Sequence, residues 1–338
     1  MARNAPVVFG GITVQPGESR TIDLNVARLY THSDMAIPIH VINGRQEGPC
    51  LFVSGVIHGD EIIGVEIIRR LLRKPVLKRL RGTLVAIPIV NVFGFINQSR
   101  YLPDRRDLNR FFPGSKTGSL TSRLADMLMT EVVSKCTHGI DLHSGSNHRE
   151  NLPQLRAYLD DPETLRLAQA FGAPVIMDAN LLEGSLRQAA KDSHIQMLLY
   201  EGGEALRFNE SAIRMGMSGV IAVMRAIRML PEVKRRSRIK PVVSQSSTWV
   251  RASISGLVSS QLQLGQQVSE GEKIGDVVDP YGEAREPIIA KADGIVVGRL
   301  NLPLVHRGDA IFHIARIQDP AAGEASMETY LQEFEPDL

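Results

Sequence analysis

Two metal-ligand side chains stand three positions apart in Ser54-Gly-Val-Ile-His-Gly-Asp-Glu-Ile-Ile63, where His58 and Glu61 follow an apolar run. If His58 ends a strand and Glu61 opens the next helix, imidazole nitrogen and carboxylate oxygen project into one crevice. Those donors suit Zn2+, and a catalytic zinc site takes three protein ligands and keeps one position open for water. The third candidate is His143, where Gly139-Ile-Asp-Leu-His-Ser-Gly145 again runs from an apolar strand into a glycine-containing loop. Ligands of open α/β sheets gather outside the carboxyl ends of strands, so two strand-end histidines can converge there. A lone histidine is more often a hydrogen-bonded loop residue. Two of them with a spaced glutamate, at equivalent strand ends, favour a metal. Asp141, two residues before His143 on the same strand face, is placed to orient a ligand or catalytic group.

A second cluster follows in Ser99-Arg-Tyr-Leu-Pro-Asp-Arg-Arg-Asp-Leu-Asn-Arg-Phe-Phe-Pro-Gly114. Arg100, Asn109 and Arg110 can bind an anionic substrate, because a guanidinium offers a planar fork of donors that matches a carboxylate. Arg105 and Arg106 read as surface salt-bridging residues, and Asp107 as a brace or cap of the loop. His138, His148 and His194 lie near these motifs, but their spacing gives no reason to make them ligands.

These residues need a sheet to carry them, and the chain supplies one. Compact apolar runs alternate with longer amphipathic ones over the first two thirds, the pattern of an α/β sheet covered by helices. Strands are expected over residues 50–56, 83–90, 139–143, 174–177 and 195–200, and helices over 60–73, 120–135, 162–171 and 209–229. At 338 residues the chain exceeds the usual single-core range, so two domains are expected. Its formal charge of +2, with dispersed basic residues, leaves no nucleic-acid footprint. Neither a signal-peptide core nor a run of about 18 apolar residues is present, so a soluble, cytoplasmic protein with no membrane partner is expected. Cys50 and Cys136 read as small core residues and not as a disulfide framework or metal ligands.

Residues 231–241 form a charged linker. From Trp249 to about Ile317, short β-branched runs punctuated by glycine mark an all-β segment. Within it Ala252-Ser-Ile-Ser-Gly-Leu-Val and Leu264-Gly-Gln-Gln-Val-Ser-Glu-Gly271 are echoed by Ala290-Lys-Ala-Asp-Gly-Ile-Val and Leu304-Val-His-Arg-Gly308. By glycine spacing this segment resembles the barrel-sandwich of biotinyl and lipoyl carrier domains. Those carriers place a modifiable lysine at the joint between halves, but here the joint, Asp279-Pro-Tyr-Gly-Glu-Ala-Arg-Glu-Pro287, has none. No covalent cofactor is expected, and the segment is given a structural, gating or oligomerising role, with Tyr281 able to close over a substrate. Residues 321–338 are acidic and are expected to form a peripheral helix or a mobile tail. The expected organisation is a catalytic domain at 1–236, a β domain at 237–320 and the tail, with homo-oligomer formation left open.

Four motifs in order, His58-Gly-Asp-Glu61, Asp107-Leu-Asn-Arg110, Asp141-Leu-His143 and Tyr200-Glu-Gly-Gly203, resemble the motif series of the succinylglutamate desuccinylase/aspartoacylase family. That family is a branch of the zinc carboxypeptidase-like fold, a mixed sheet flanked by helices, and the resemblance spans about residues 45–205. It implies that His58, Glu61 and His143 hold one Zn2+, and that Glu201 is the general base and proton shuttle. It further implies that Arg100 polarises the scissile carbonyl and that Asn109 and Arg110 grip a substrate carboxylate. Arg187, in Gly184-Ser-Leu-Arg-Gln-Ala-Ala190, resembles a further carboxylate-binding arginine. The Arg187 to Glu201 spacing is longer than in aspartoacylase, and two extra residues separate Arg100 from Arg110, which leaves the loop shape and the substrate open.

The chemistry is consistent with this series. Amide hydrolysis needs an activated water, stabilisation of an oxyanion and a proton for the leaving amine, and a carboxylate beside a metal can serve the first and last. Glu201 follows an apolar strand and precedes two glycines, which favours that role over a solvent-facing helix-end carboxylate; Glu204 is the weaker substitute. The expected activity is zinc-dependent hydrolysis of an N-acyl amino acid or related small amide. A metallocarboxypeptidase would use the same residues with a different pocket. A metal-binding interaction module without catalysis would not need Arg100 and Glu201.

Overall fold

The apolar runs of the first two thirds fall at the centre of one large sheet. In this computed structural model, which describes residues 2–28, 30, 32–233 and 239–335, four parallel strands form the middle: Arg81–Ile87, Gln46–Gly55, His138–His143 and Gln196–Glu204, side by side in that order. Strands covered on both faces lose their polar alternation, and Leu51, Phe52 and Val53 are accordingly all fully buried. One face packs the helices Ile63–Leu72, Pro162–Phe171 and Glu210–Ala226 against a core that includes Leu51, Ile67, Leu155 and Tyr200. The other face packs Leu120–Glu131 and Leu186–Asp192 against Phe52, Val85 and Ile87. The expected mixed sheet flanked by helices is what the chain forms.

Several boundaries differ for local reasons. The first helix begins at Ile63 and not at Asp60, because Glu61 sits in a tight turn in which its N–H donates to His58 O at 3.1 Å. Three of the long strands were not anticipated. Ser19–Arg28 and Asp34–Asn43 add an antiparallel pair beyond Arg81–Ile87, and Met35, Ile37, Ile39 and Val41 bury one face of the second by strict alternation. Arg149–Ala157 lies antiparallel to Gln196–Glu204. Its polar ends and internal Pro153 argue against a central strand, yet the proline is tolerated where the register shifts.

The C-terminal segment is all-β, and one layer of it is continuous with the main sheet. Gly294–Leu300 pairs with Arg149–Ala157, and Ala310–Ala315 and Ser247–Arg251 extend that edge. The other layer is a four-stranded sheet of Arg285–Ile289, Lys273–Val278, Gly256–Ser259 and Leu304–Val305. The two layers share a core of Val250, Val277, Ile288, Val296, Ile311 and Phe312.

The end of the chain is not peripheral. Pro320–Phe334 is a helix that buries Met327 and Tyr330 in the main core, with Tyr330 Oη donating to Glu335 Oε1 at 2.9 Å. The centre of the expected linker, residues 234–238, lies outside the described residues, as do 336–338 of the expected tail. Cys50 and Cys136 are free thiols, the second buried. Among the described residues no helix is long and apolar enough to cross a membrane.

Candidate active site

Three adjacent parallel strands deliver the site. Gln46–Gly55 ends at a turn in which Val56 adopts a φ of 59°, a left-handed conformation costly for a β-branched residue, and Asn91 N donates to Val56 O at 2.8 Å to hold it. The turn carries His58 into the crevice. Gly59 is required beside it, because a Cβ there would lie 1.9 Å from the Gly94 carbonyl carbon. His143 closes the next strand and pairs in register with Glu201 on the third.

His58, Glu61 and His143 converge, with one ligand atom from each within 4.8 Å of the others, and all three are buried. Glu61 lies between the imidazoles: His58 Nδ1 is 2.7 Å from Oε1 and His143 Nδ1 is 2.6 Å from Oε2. The outer nitrogens face carboxylates, His58 Nε2 to Asp107 Oδ1 at 3.1 Å and His143 Nε2 to Asp141 Oδ2 at 2.6 Å. A histidine that gives its Nε2–H to a carboxylate presents Nδ1 as the ligand and is fixed in tautomer and orientation. Asp141 is itself held by Ser54, its register partner, whose Oγ donates to Oδ1 at 2.7 Å. Asp107 braces Arg100 as well as His58, accepting from its Nη2 at 2.9 Å, while Arg100 Nη1 donates to Glu61 Oε1 at 3.1 Å.

The buried charges of these groups compensate one another. Burial works to raise the Glu61 carboxyl, but the two imidazoles outweigh it and hold it far below the usual range. Burial works to lower His143, but Asp141 and Glu61 carry it well above its ordinary value, and Glu61 and Asp107 raise His58 in the same way. A buried N, N, O donor set whose two histidines are braced by outer carboxylates fits a divalent ion of the zinc type.

These residues open on a cavity of about 360 Å³ that is also lined by Arg100, Asn109, Arg110, Arg187 and Glu201. All eight residues expected from the sequence to ligate a metal, catalyse or bind substrate thus border one space. Asn109 Oδ1 accepts from Leu186 N at 2.8 Å, which ties the Asn109 loop to the helix that carries Arg187. Arg187 is buried, and its Nη1 and Nη2 donate to the carbonyls of Ala179 and Asn180 at 3.1 and 3.2 Å. Burial, with Arg156 adding repulsion, pushes its guanidinium down to about 10. Burial raises the Glu201 carboxyl above its ordinary value, and Arg156 opposes the rise.

The cavity also contains residues that sequence reasoning missed. Arg149, Asn151 and Arg156 come from the unanticipated strand, and Trp249 from the C-terminal segment. The Trp249 ring stacks on His313, its register partner, at 4.3 Å and 4°. Tyr281 is 88% exposed and absent from the cavity wall, so the expected closure over the substrate is not seen; Asp279 accepts from the Tyr281 and Ala284 amides and keeps that joint as an outward turn.

Comparison with known proteins agrees with this arrangement. A sequence model of the succinylglutamate desuccinylase/aspartoacylase catalytic domain matches residues 47–227, more than half of the chain. The N-alpha-acetyl-L-2,4-diaminobutyric acid deacetylase of Halomonas elongata is 27% identical over 294 residues, covering 83% of this chain and 86% of the relative. The fold is shared with a succinylglutamate desuccinylase/aspartoacylase from Rhodobacter sphaeroides, at TM-score 0.80 and 23% identity over 89% of this chain and 95% of that one. It is shared too with the product-bound ectoine utilization protein of Ruegeria pomeroyi, at TM-score 0.82 and 22% identity over 93% and 100%. With the motif series, the sheet and the clustered site all of one kind, the chain belongs to the succinylglutamate desuccinylase/aspartoacylase family.

Proposed function

We propose that this protein is a zinc-dependent deacylase that hydrolyses the amide bond of an N-acyl amino acid or a related small carboxylate-bearing amide. The observation that carries the reading is the convergence of His58, Glu61 and His143 on one point bordering the cavity that also contains Glu201. An ion held by those three residues supplies Lewis acidity and acidifies water at neutral pH.

The chain's own residues do the rest. Glu201 takes the proton from the attacking water as the new C–O bond forms, and returns it to the amine as the C–N bond breaks. Arg100, aimed by Asp107, shares the negative charge on the carbonyl oxygen, a contribution of about 10²-fold to 10³-fold in rate for one positioned donor. Asn109, Arg110 and Arg187 grip the substrate carboxylate. A cavity of about 360 Å³ lies at the small end of ligand sites and favours an acyl amino acid over a peptide. We read residues 237–320 as a barrel-sandwich-like module without an acceptor lysine that contributes Trp249 to the wall.

The test is Glu201→Gln in the zinc-loaded protein, assayed with N-acetyl and N-succinyl amino acids beside short peptides. Bound zinc is retained and hydrolysis is largely lost. Unchanged turnover removes Glu201 from the mechanism, and a preference for peptides overturns the substrate class.

A further inference from the structure

Glu201 is met from the side by a strand that carries no metal ligand. Gln196–Glu204 and Arg149–Ala157 run antiparallel, with Leu199 opposite Arg156 and Glu201 opposite Gln154. Had the pairing continued regularly, Asn151 and Arg156, five residues apart, would project from opposite faces. Instead Gly203 pairs with Asn151, so that three residues on one strand span two on the other. The extra residue inverts the alternation. Leu152 therefore lies in the same apolar core as Leu155 and Ala157, while Asn151 joins Arg156 on the cavity side. Pro153, with no N–H to pair, sits inside the irregular stretch.

We propose that Asn151 and Arg156 are positioning residues for Glu201, holding its two carboxylate oxygens from the bulged strand and fixing its aim into the cavity. This rests on the reading of Glu201 as the base. Asn151 Nδ2 donates to Oε2 at 2.7 Å, and Arg156 Nε lies 3.4 Å from Oε1. The Arg156 nitrogen makes no hydrogen bond of good geometry, so its hold is electrostatic. A base works only within hydrogen-bond reach of the proton it abstracts, and a misplacement of about 1 Å can cost about 10²-fold. The terminal torsion of a glutamate is broad and two-fold; engaging each oxygen from a rigid strand removes that freedom.

A variant cycle tests the assignment: Asn151→Ala, Asn151→Asp, Arg156→Gln and Arg156→Lys, each alone and combined with Glu201→Ala, zinc-loaded, with an N-acetyl amino acid as substrate. Asn151→Ala and Arg156→Gln each lower kcat at least about tenfold with KM within about threefold and zinc per chain unchanged. Asn151→Asp keeps the shape, sets like charge against Glu201 and lowers kcat further, whereas Arg156→Lys restores kcat to within about threefold. In the Glu201→Ala background neither loss recurs, a non-additivity that a merely structural role does not give. Read as thermal midpoints of the metal-free protein, the same cycle gives Asn151→Ala a smaller loss once Glu201 is alanine. Unchanged kcat in both Asn151→Ala and Arg156→Gln, or equal losses in both backgrounds, overturns the proposal. An active Glu201→Ala protein instead refutes the base assignment, and this inference with it.

Discussion

Replacing Arg187 by methionine separates what the site costs the fold from what it gives to binding. Arg187 is 9% exposed, and burial together with Arg156 pushes its guanidinium down to about 10. At 1.36 kcal/mol per pH unit, keeping that charge in the folded protein costs about 3 kcal/mol. Because the folded value lies below the unfolded one, the cost is complete at neutral pH and is relieved only as pH rises through 10. Methionine fills most of the same volume without the charge. Against that gain stand two lost hydrogen bonds, to the carbonyls of Ala179 and Asn180, each worth about 1 kcal/mol where water can replace the donor. The variant should therefore be as stable as the wild type or more stable by about 1 kcal/mol in urea unfolding at pH 7. Substrate binding should move the other way, because a charge-assisted contact to a carboxylate is worth about 1.5–3 kcal/mol, or about 10-fold to 100-fold in KM. A carboxylate product should also raise the thermal midpoint of the wild type more than that of the variant. Destabilisation by more than about 2 kcal/mol with KM unchanged would refute the reasoning.

Two further outcomes follow from the same geometry. Asp141→Ala strips His143 Nε2 of its acceptor and Ser54 Oγ of its own, so zinc affinity in competition with a chelator should fall about 10-fold to 100-fold; equal affinity would remove Asp141 from the site. For Glu201, burial raises the carboxyl above its ordinary value, so the fold favours its protonated form more than the unfolded chain does. Its contribution to stability is complete below the ordinary carboxylate value and is lost as pH climbs through the raised one. Glu201→Gln should therefore raise the thermal midpoint of the metal-free protein at pH 8, with the advantage vanishing under about pH 4. A pH-independent difference would contradict that sign.

His58, Glu61 and His143, the three residues that could hold a metal ion, were legible because each sits in a short local motif at the end of a parallel strand, where one topological rule tells which way the side chain goes. His58 and His143 needed only the strands 46–55 and 138–143 to be adjacent, which their apolar composition favoured. Asn151 and Arg156 were not legible. Pro153 and the polar strand ends hide a central strand, and the bulge that brings both side chains to one face is a property of pairing with Gln196–Glu204, not of the segment itself. Trp249 was missed for a related reason, since it reaches the cavity through the edge-to-edge joining of Gly294–Leu300 to Arg149–Ala157. The glycine pattern of the C-terminal segment signalled strands but not which sheet they would join. Tyr330 shows the same limit for the last helix, whose acidic composition gave no sign that one aromatic face docks in the main core.

The direct test of the central claim is metal analysis of the purified protein beside His143→Ala, with hydrolysis followed through exhaustive chelation and zinc return. One zinc per chain, its loss in the variant, and activity that disappears and comes back with the ion are the results expected. Full activity in the chelated protein, or a full zinc complement in His143→Ala, would contradict it.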